Sequence, residues 1–266
     1  MIGDLLFALR QQLEPLSETP SLDAQILLAY ILEKPRAWVL AHPEALLTAE
    51  QEASLQRALT RLLAGEPLPY VIGEWEFFGL VFSLTPAVLI PRPETELLVE
   101  GAIEWLNSQP HVRQTAAYSL CIADVGTGSG CIAIALAHHL PGIRVAAIDI
   151  SWAALQVAHL NARRHRVSER LSFLQADLLS CFTSRPTFHL ICANLPYIPS
   201  NTLPYLPVSK SEPVLALDGG PGGMEKIERF LRQAQTCLAP GGRLLIEIEA
   251  SLGQLVPALA QHIFPS

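Results

Sequence analysis

From Ser119 onward the chain alternates apolar runs with helical stretches, and no other feature limits its fold as tightly. Five runs read as strands: Leu120–Val125, Arg144–Ile150, Leu171–Ala176, Phe188–Ala193 and Arg243–Ile248. Their continuous apolar character is that of strands buried on both faces. Between and after them, helices are expected near Gly130–Leu140, Trp152–His165, Met224–Leu238 and Leu252–His262. Strand and helix in turn predict an α/β domain whose parallel sheet carries helices on both faces. Such sheets bind ligands beyond the carboxyl ends of their strands, so strand-end residues become the candidates for chemistry.

The first of these strand ends is Asp124-Val125-Gly126-Thr127-Gly128-Ser129-Gly130. Gly126, Gly128 and Gly130 let the backbone turn sharply into a helix and approach a ligand closely. The spacing is G-x-G-x-G, with Cys131 after it, which suits a nucleotide-like ligand lacking a pyrophosphate. Asp149 closes the second strand, where a carboxylate can accept both ribose hydroxyls. Asp177 closes the third and can accept from an adenine amino group, with the backbone amide and side chain of Leu178 beside it. Strand-end aspartates also cap the following helix, and for Asp177 that plain role weighs as much as the ligand role. Asp124 either holds the glycine loop in shape or reaches an amino group of the ligand.

Upstream the pattern changes. Residues 1–64 read as a small helical domain, with Leu5, Leu6, Leu9 and Leu13 at helical spacing and Ser21 and Thr48 as candidate caps. Residues 65–93, rich in Pro, Gly and aromatics, read as a linker with a possible hairpin from Glu74 to Leu84. Residues 94–266 then form the α/β domain, opened by a helix from Glu94 to Asn107. The connection from Leu195 to Gly223 carries six prolines and is longer than an ordinary loop, which marks it as functional.

Composition excludes several classes. The net charge of −7 argues against a nucleic-acid binder held by phosphate contacts. Five cysteines without a CxxC pair, and eight histidines without an HExxH spacing, point to no metal centre and no disulfide framework. Met1 to Arg10 has no secretory pattern and no run is long enough to span a membrane, so a soluble, cytoplasmic protein is expected.

The most specific segment is Asn194-Leu195-Pro196-Tyr197, directly after the fourth strand. An Asn, a rigid Pro and an aromatic ring at a strand tip suit the gripping of a flat amide or amino group. Read alone, the same residues also make an ordinary turn. Three further stretches accompany it: Ile90-Pro91-Arg92-Pro93-Glu94-Thr95-Glu96, the glycine loop, and Glu212-Pro213-Val214-Leu215-Ala216-Leu217-Asp218-Gly219-Gly220 followed by Gly222-Gly223. With these, the chain resembles the HemK/PrmC family of release-factor glutamine methyltransferases over nearly its whole length.

The resemblance implies a class I S-adenosylmethionine-dependent methyltransferase fold, Rossmann-like and α/β with a mostly parallel sheet, behind an N-terminal helical domain that recognises substrate. It implies S-adenosylmethionine held by Gly126, Thr127, Gly128, Ser129, Gly130, Asp149, Asp177, Leu178 and Asn194. It implies a peptide chain release factor as the protein substrate, no direct nucleic acid or membrane partner, and a monomeric enzyme. The acceptor is the side-chain amide of the glutamine in the release factor's Gly-Gly-Gln motif. The Asn194 side-chain oxygen and the Leu195 carbonyl would accept its two N–H bonds, with Pro196 rigid between and Tyr197 packed on the amide plane. The family commonly has Pro where Leu195 stands, but a backbone carbonyl comes with any residue. The family fold also continues into an antiparallel hairpin beside Arg243–Ile248. The chain stops at Ser266, so that hairpin is expected to be missing and the strand to form an edge. Two other readings stay open: an adenine amino-group methyltransferase on DNA or RNA, and a non-catalytic binding protein that has lost the hairpin. A dehydrogenase would need a third glycine at the dinucleotide spacing.

Overall fold

The computed structural model describes residues 1–109, 120–182 and 186–264; Ser119 and Ser266 lie outside them. The chain divides into two compact units, Met1–Glu74 and Trp75–Ser266.

The first unit is helical: α1 (Ile2–Leu13), α2 (Pro20–Leu32), α3 (Arg36–Ala41), α4 (Ala49–Leu63) and α5 (Leu68–Ile72). Thr48 caps α4 as expected. Its hydroxyl accepts from Gln51 N at 3.2 Å, and Gln51 Oε1 accepts from Thr48 N at 3.0 Å. Ser21 does not cap α2. The helix starts two residues earlier, at Pro20, because proline's fixed φ suits the first helical position and Thr19 takes the cap site. Residues 65–93, expected as a linker, are shared between the two units. Arg61 donates to the carbonyls of Tyr70 and Val71, each at 3.1 Å, and so ties α5 to α4.

The second unit opens on the hairpin β1 (Glu74–Phe77) and β2 (Leu80–Ser83), turned by Phe78 and Gly79. Both turn residues have positive φ, 52° and 71°, as a two-residue turn matched to strand twist requires. Then come α6 (Thr95–Ser108), β3 (Leu120–Val125), α7 (Cys131–His139), β4 (Ile143–Asp149), α8 (Trp152–Arg164), β5 (Leu171–Gln175) and β6 (Phe188–Asn194). The chain ends with β7 (Ile198–Pro199), β8 (Asp218–Gly220), α9 (Glu225–Cys237), β9 (Leu238–Glu247) and α10 (Leu255–Ile263).

Five strands form one parallel sheet in the order β5-β4-β3-β6-β9. The chain runs outward from β3 through β4 to β5, then returns to the other side of β3 with β6. That reversal leaves a crevice between the ends of β3 and β6. The central strands β3 and β6 are buried almost throughout, which explains their unbroken apolar sequence. Helices α6, α7 and α8 pack on one face, and α9 and α10 on the other. Seven residues in succession on α7, Cys131 to Ala137, are buried, so that helix is apolar all round.

The last sheet strand is longer than its apolar core suggests. β9 begins at Leu238, pairs with Phe188, and loops out before Arg243 pairs with Leu190. It is the outer strand of the sheet among the described residues and is only partly buried. The long connection from Leu195 to Gly223 is ordered by short 3-10 turns and by the parallel pair β7–β8.

Candidate functional site

A cavity of about 390 Å³ opens at the crevice between β3 and β6. Its wall brings together Gly126, Thr127, Gly128, Ser129, Asp149, Asp177, Leu178, Asn194, Leu195 and Pro196. Gly130 and Tyr197 do not reach that wall.

The glycine loop is held by backbone bonds. Gly126 N and Thr127 N both donate to Ile148 O at 2.9 Å, and Gly130 N donates to Thr127 O at 2.8 Å. Two of its glycines do different work. A Cβ on Gly128 would meet only Gly126 O, at 4.0 Å, so that residue leaves open space at the cavity, with φ +56°. A Cβ on Gly130 would lie 2.8 Å from Ile134 Cδ1 and 3.1 Å from Ala158 Cβ, so its lack of side chain lets α8 pack close. Asp149 accepts from Gly128 N through Oδ2 and from Ser151 N through Oδ1, both at 2.9 Å. Burial raises its pKa against those two backbone bonds.

Asp124 sits beneath the loop, fully buried. Its Oδ2 accepts from Thr127 Oγ1 at 2.6 Å and from Ala133 N at 3.1 Å. Its Oδ1 is buried with no partner among the described residues. Burial pushes its carboxyl up to about 6, with the Asp149 charge adding to the effect and the two hydrogen bonds opposing it. Asp124 thus holds the loop in shape while keeping one acceptor in reserve.

At the far end, Asp177 is already engaged: Arg229 of α9 donates to its Oδ2 at 2.6 Å. Leu178 is buried with φ +55°, a left-handed conformation rare for a non-glycine residue and characteristic of functional loops. Arg229 and Lys226 both reach the cavity. Burial lowers the Lys226 pKa, while Asp218 and Asp177 act to raise it. Neither α9 cation is visible as a site residue in the sequence, because their arrival depends on how α9 crosses the sheet.

Asn194 ends β6. Its Nδ2 donates to Thr95 Oγ1 at 3.1 Å, while its Oδ1 has no hydrogen-bond partner among the described residues. Leu195 is 3% exposed and packs toward Gly126, whose added Cβ would lie 3.2 Å from Leu195 Cδ2. Tyr197 is half-buried against the glycine segment at β8: a Cβ on Gly219 would lie 2.7 Å from Tyr197 Cα. Burial raises the Tyr197 pKa, and the Glu247 charge adds to it.

The Pro-Arg-Pro segment forms another part of the wall through Pro91, Arg92 and Thr95. Glu212, 7% exposed, holds that segment: it pairs with Arg92 and accepts from Ile90 N at 3.0 Å. Glu96 instead accepts from Phe78 N at 2.8 Å and anchors the β1–β2 turn. A further tether escapes sequence reasoning. Asn161 is fully buried; its Oδ1 accepts from Ser83 N, and its Nδ2 donates to Ser83 O and Ser129 O.

Comparison with known proteins bears on this arrangement. The family model described as the PrmC N-terminal domain matches residues 4–73, and a methyltransferase domain model matches residues 119–263. The release factor glutamine methyltransferase of Moorella thermoacetica is 44% identical over 92% of this chain and 84% of its own length. That of Coxiella burnetii is 40% identical over 89% and 82%. The chain belongs to the release factor glutamine methyltransferase family. Among solved structures, the ribosomal protein L11 methylase of Lactobacillus delbrueckii subsp. bulgaricus aligns at 23% identity and a TM-score of 0.47, over 68% of this chain and 73% of its own. The glycine loop and Asn194 line the same cavity.

Proposed function

We propose that this methyltransferase transfers a methyl group from S-adenosylmethionine to the side-chain amide of the glutamine in a release factor's Gly-Gly-Gln motif. The observation that carries the reading is the Asn194 carboxamide. Its NH₂ end is committed to Thr95, which leaves its oxygen as a free acceptor on the cavity wall.

The residues present fit S-adenosylmethionine. The open face at Gly128 admits a close ligand, the unpartnered Oδ1 of Asp124 suits a cationic amino group, and the Asp149 oxygens retain lone pairs for ribose hydroxyls. Nothing in the loop is laid out for a pyrophosphate. Bound there, the molecule supplies a methyl group on a sulfonium sulfur, a good leaving group.

The protein's task is then position and polarity. An amide nitrogen is a poor nucleophile because its lone pair is delocalised into the carbonyl. Asn194 Oδ1 and the Leu195 carbonyl accept its two N–H bonds and turn the nitrogen toward the methyl carbon. Methyl transfer from the bound donor would place developing positive charge on that nitrogen. The same two oxygens stabilise that charge. The methylated nitrogen is acidic and releases a proton to water, so no strong base is needed. Pro196 stiffens the corner, and Tyr197, seated on the glycine segment, bounds the amide plane. The N-terminal helical unit recognises the release factor.

The net charge of −7 counts against a nucleic-acid acceptor held by phosphates. No helix of the described residues is long and apolar enough to cross a membrane.

The test is tritium transfer from labelled S-adenosylmethionine to purified release factor, with a Gln-to-Ala change in the Gly-Gly-Gln motif as control. Label is expected on the factor and absent from the control. Asn194→Ala is expected to abolish transfer and leave donor affinity near the wild-type value. Full turnover in that variant would remove Asn194 from its role.

A further inference from the structure

Glu247 ends β9 and sits beside Asn194 in the strand register. Its Oε2 is buried and has no hydrogen-bond partner among the described residues. A carboxylate oxygen in that condition costs stability, so its retention calls for a reason. Its neighbours supply one. Hydrogen bonding from Thr95 and Asn194 acts to lower the Glu247 pKa against burial, the larger effect, which raises it; Glu94 also raises it and Arg92 lowers it.

Thr95 links the two residues. It begins α6, is 2% exposed, and its Oγ1 already accepts from Asn194 Nδ2 at 3.1 Å. A hydroxyl carries one proton, and with the oxygen accepting from Asn194 that proton must be donated elsewhere. Glu247, level with Asn194 in the strand register and with its buried Oε2 unpaired, supplies the acceptor on that side.

The polarity of this chain has a consequence for Asn194. A carboxamide has nearly the same shape when its ends are exchanged. Flipped, Asn194 would present NH₂ to the cavity and oppose an incoming NH₂ donor for donor. A lone threonine would not prevent the flip, because its hydroxyl donates as readily as it accepts. An ionised carboxylate only accepts. It draws the threonine proton toward itself, turns the threonine lone pair toward Asn194, and thereby requires the NH₂ end there. We propose that Glu247 is a positioning residue that, through Thr95, sets which end of the Asn194 carboxamide faces the acceptor. The inference rests on reading Asn194 as the residue that binds the acceptor amide.

Glu247→Gln tests it with almost no change in volume, since a carboxamide can donate as well as accept. Thr95→Val removes the relay, and Thr95→Ser keeps it. Turnover of release factor and calorimetric affinity for S-adenosylhomocysteine are measured on each. Glu247→Gln and Thr95→Val are expected to lower kcat by roughly 10- to 100-fold, as outer supporting residues do, with S-adenosylhomocysteine affinity unchanged. Thr95→Ser should restore turnover. The double variant should be no worse than the poorer single one, because both changes break one chain. Wild-type kcat in Glu247→Gln, multiplying losses in the double variant, or a loss of ligand affinity that matches the loss of turnover would each overturn the proposal. If Glu247→Gln fails to fold, the Thr95 pair decides alone. Asn194→Ala is run in parallel: if it is inactive while Glu247→Gln is normal, only the positioning role falls. If Asn194→Ala is active, the reading beneath it falls too.

Discussion

Asp124 is fully buried, yet only one of its two carboxylate oxygens has a partner. Its pKa moves from 3.8 to about 6 on folding. Between those values the folded protein binds more protons at this site than the unfolded chain. Stability therefore falls as pH rises through the window, and the penalty is complete above it. The shift corresponds to on the order of 3 kcal/mol. Asp124→Asn removes the titration and leaves the other ionisable groups in place. In urea unfolding of the ligand-free protein, the stability difference between variant and wild type should move in the variant's favour by about that amount between about pH 4 and about pH 7.5. A difference that does not change with pH would show that Asp124 does not titrate there. A buried charge of that cost suits a site whose ligand brings a compensating cation.

At the scale of elements, the segment from Asp218 to Gly223 explains how the Asn-Leu-Pro-Tyr corner is seated. β8 pairs with β7, and Ser200 Oγ and Gly220 N both donate to Asp218 Oδ1, at 2.6 and 2.9 Å. A Cβ on Gly219 would lie 2.6 Å from Gly223 O and 2.7 Å from Tyr197 Cα, both backbone atoms that cannot swing aside. A Cβ on Gly222 would meet only the end of the Glu225 side chain, at 3.1 Å. The two glycines, three positions apart, should therefore respond differently. Gly219→Ala displaces Tyr197 and is expected to cut turnover by roughly 100-fold, the cost of misplacing a reacting group by about 1 Å. Gly222→Ala should stay near wild type. Steady-state methylation of release factor by both variants is the measurement, and equal losses would dismiss the seating role. The glycines themselves are plain in the sequence; that they meet Tyr197 is not, because the contact crosses a connection of more than twenty residues.

For the whole molecule, legibility follows the range of the interaction. The central strands β3 and β6 were readable because burial on both faces leaves unbroken apolar runs, and β3 in particular spans Leu120–Val125 as its sequence indicates. Thr48 as a cap was readable because the capping box is local. The start of α2 was misplaced by two residues, where proline and threonine together outcompete serine. Arg229, Lys226, Asn161 and Glu247 were not legible as site or support residues, since each depends on how distant elements cross or register.

That same division bears on how labour is shared along the chain. Every residue on the cavity wall falls between Ala87 and Arg229, inside the second unit. The first unit has a core of its own, including Leu27, Leu28 and Val39, and leaves Phe7 and Leu46 at its surface, 62% and 74% exposed. A chain beginning at Glu74 keeps hairpin β1–β2 whole and should bind S-adenosylhomocysteine as tightly as the full protein. On intact release factor its kcat/KM should fall by about tenfold or more, equivalent to about 1.4 kcal/mol or more of lost recognition. On a short peptide carrying Gly-Gly-Gln, which offers no surface to a separate recognition unit, full and shortened chains should differ far less. Equal losses on peptide and protein would place recognition within the catalytic unit and leave the helical unit a purely structural part.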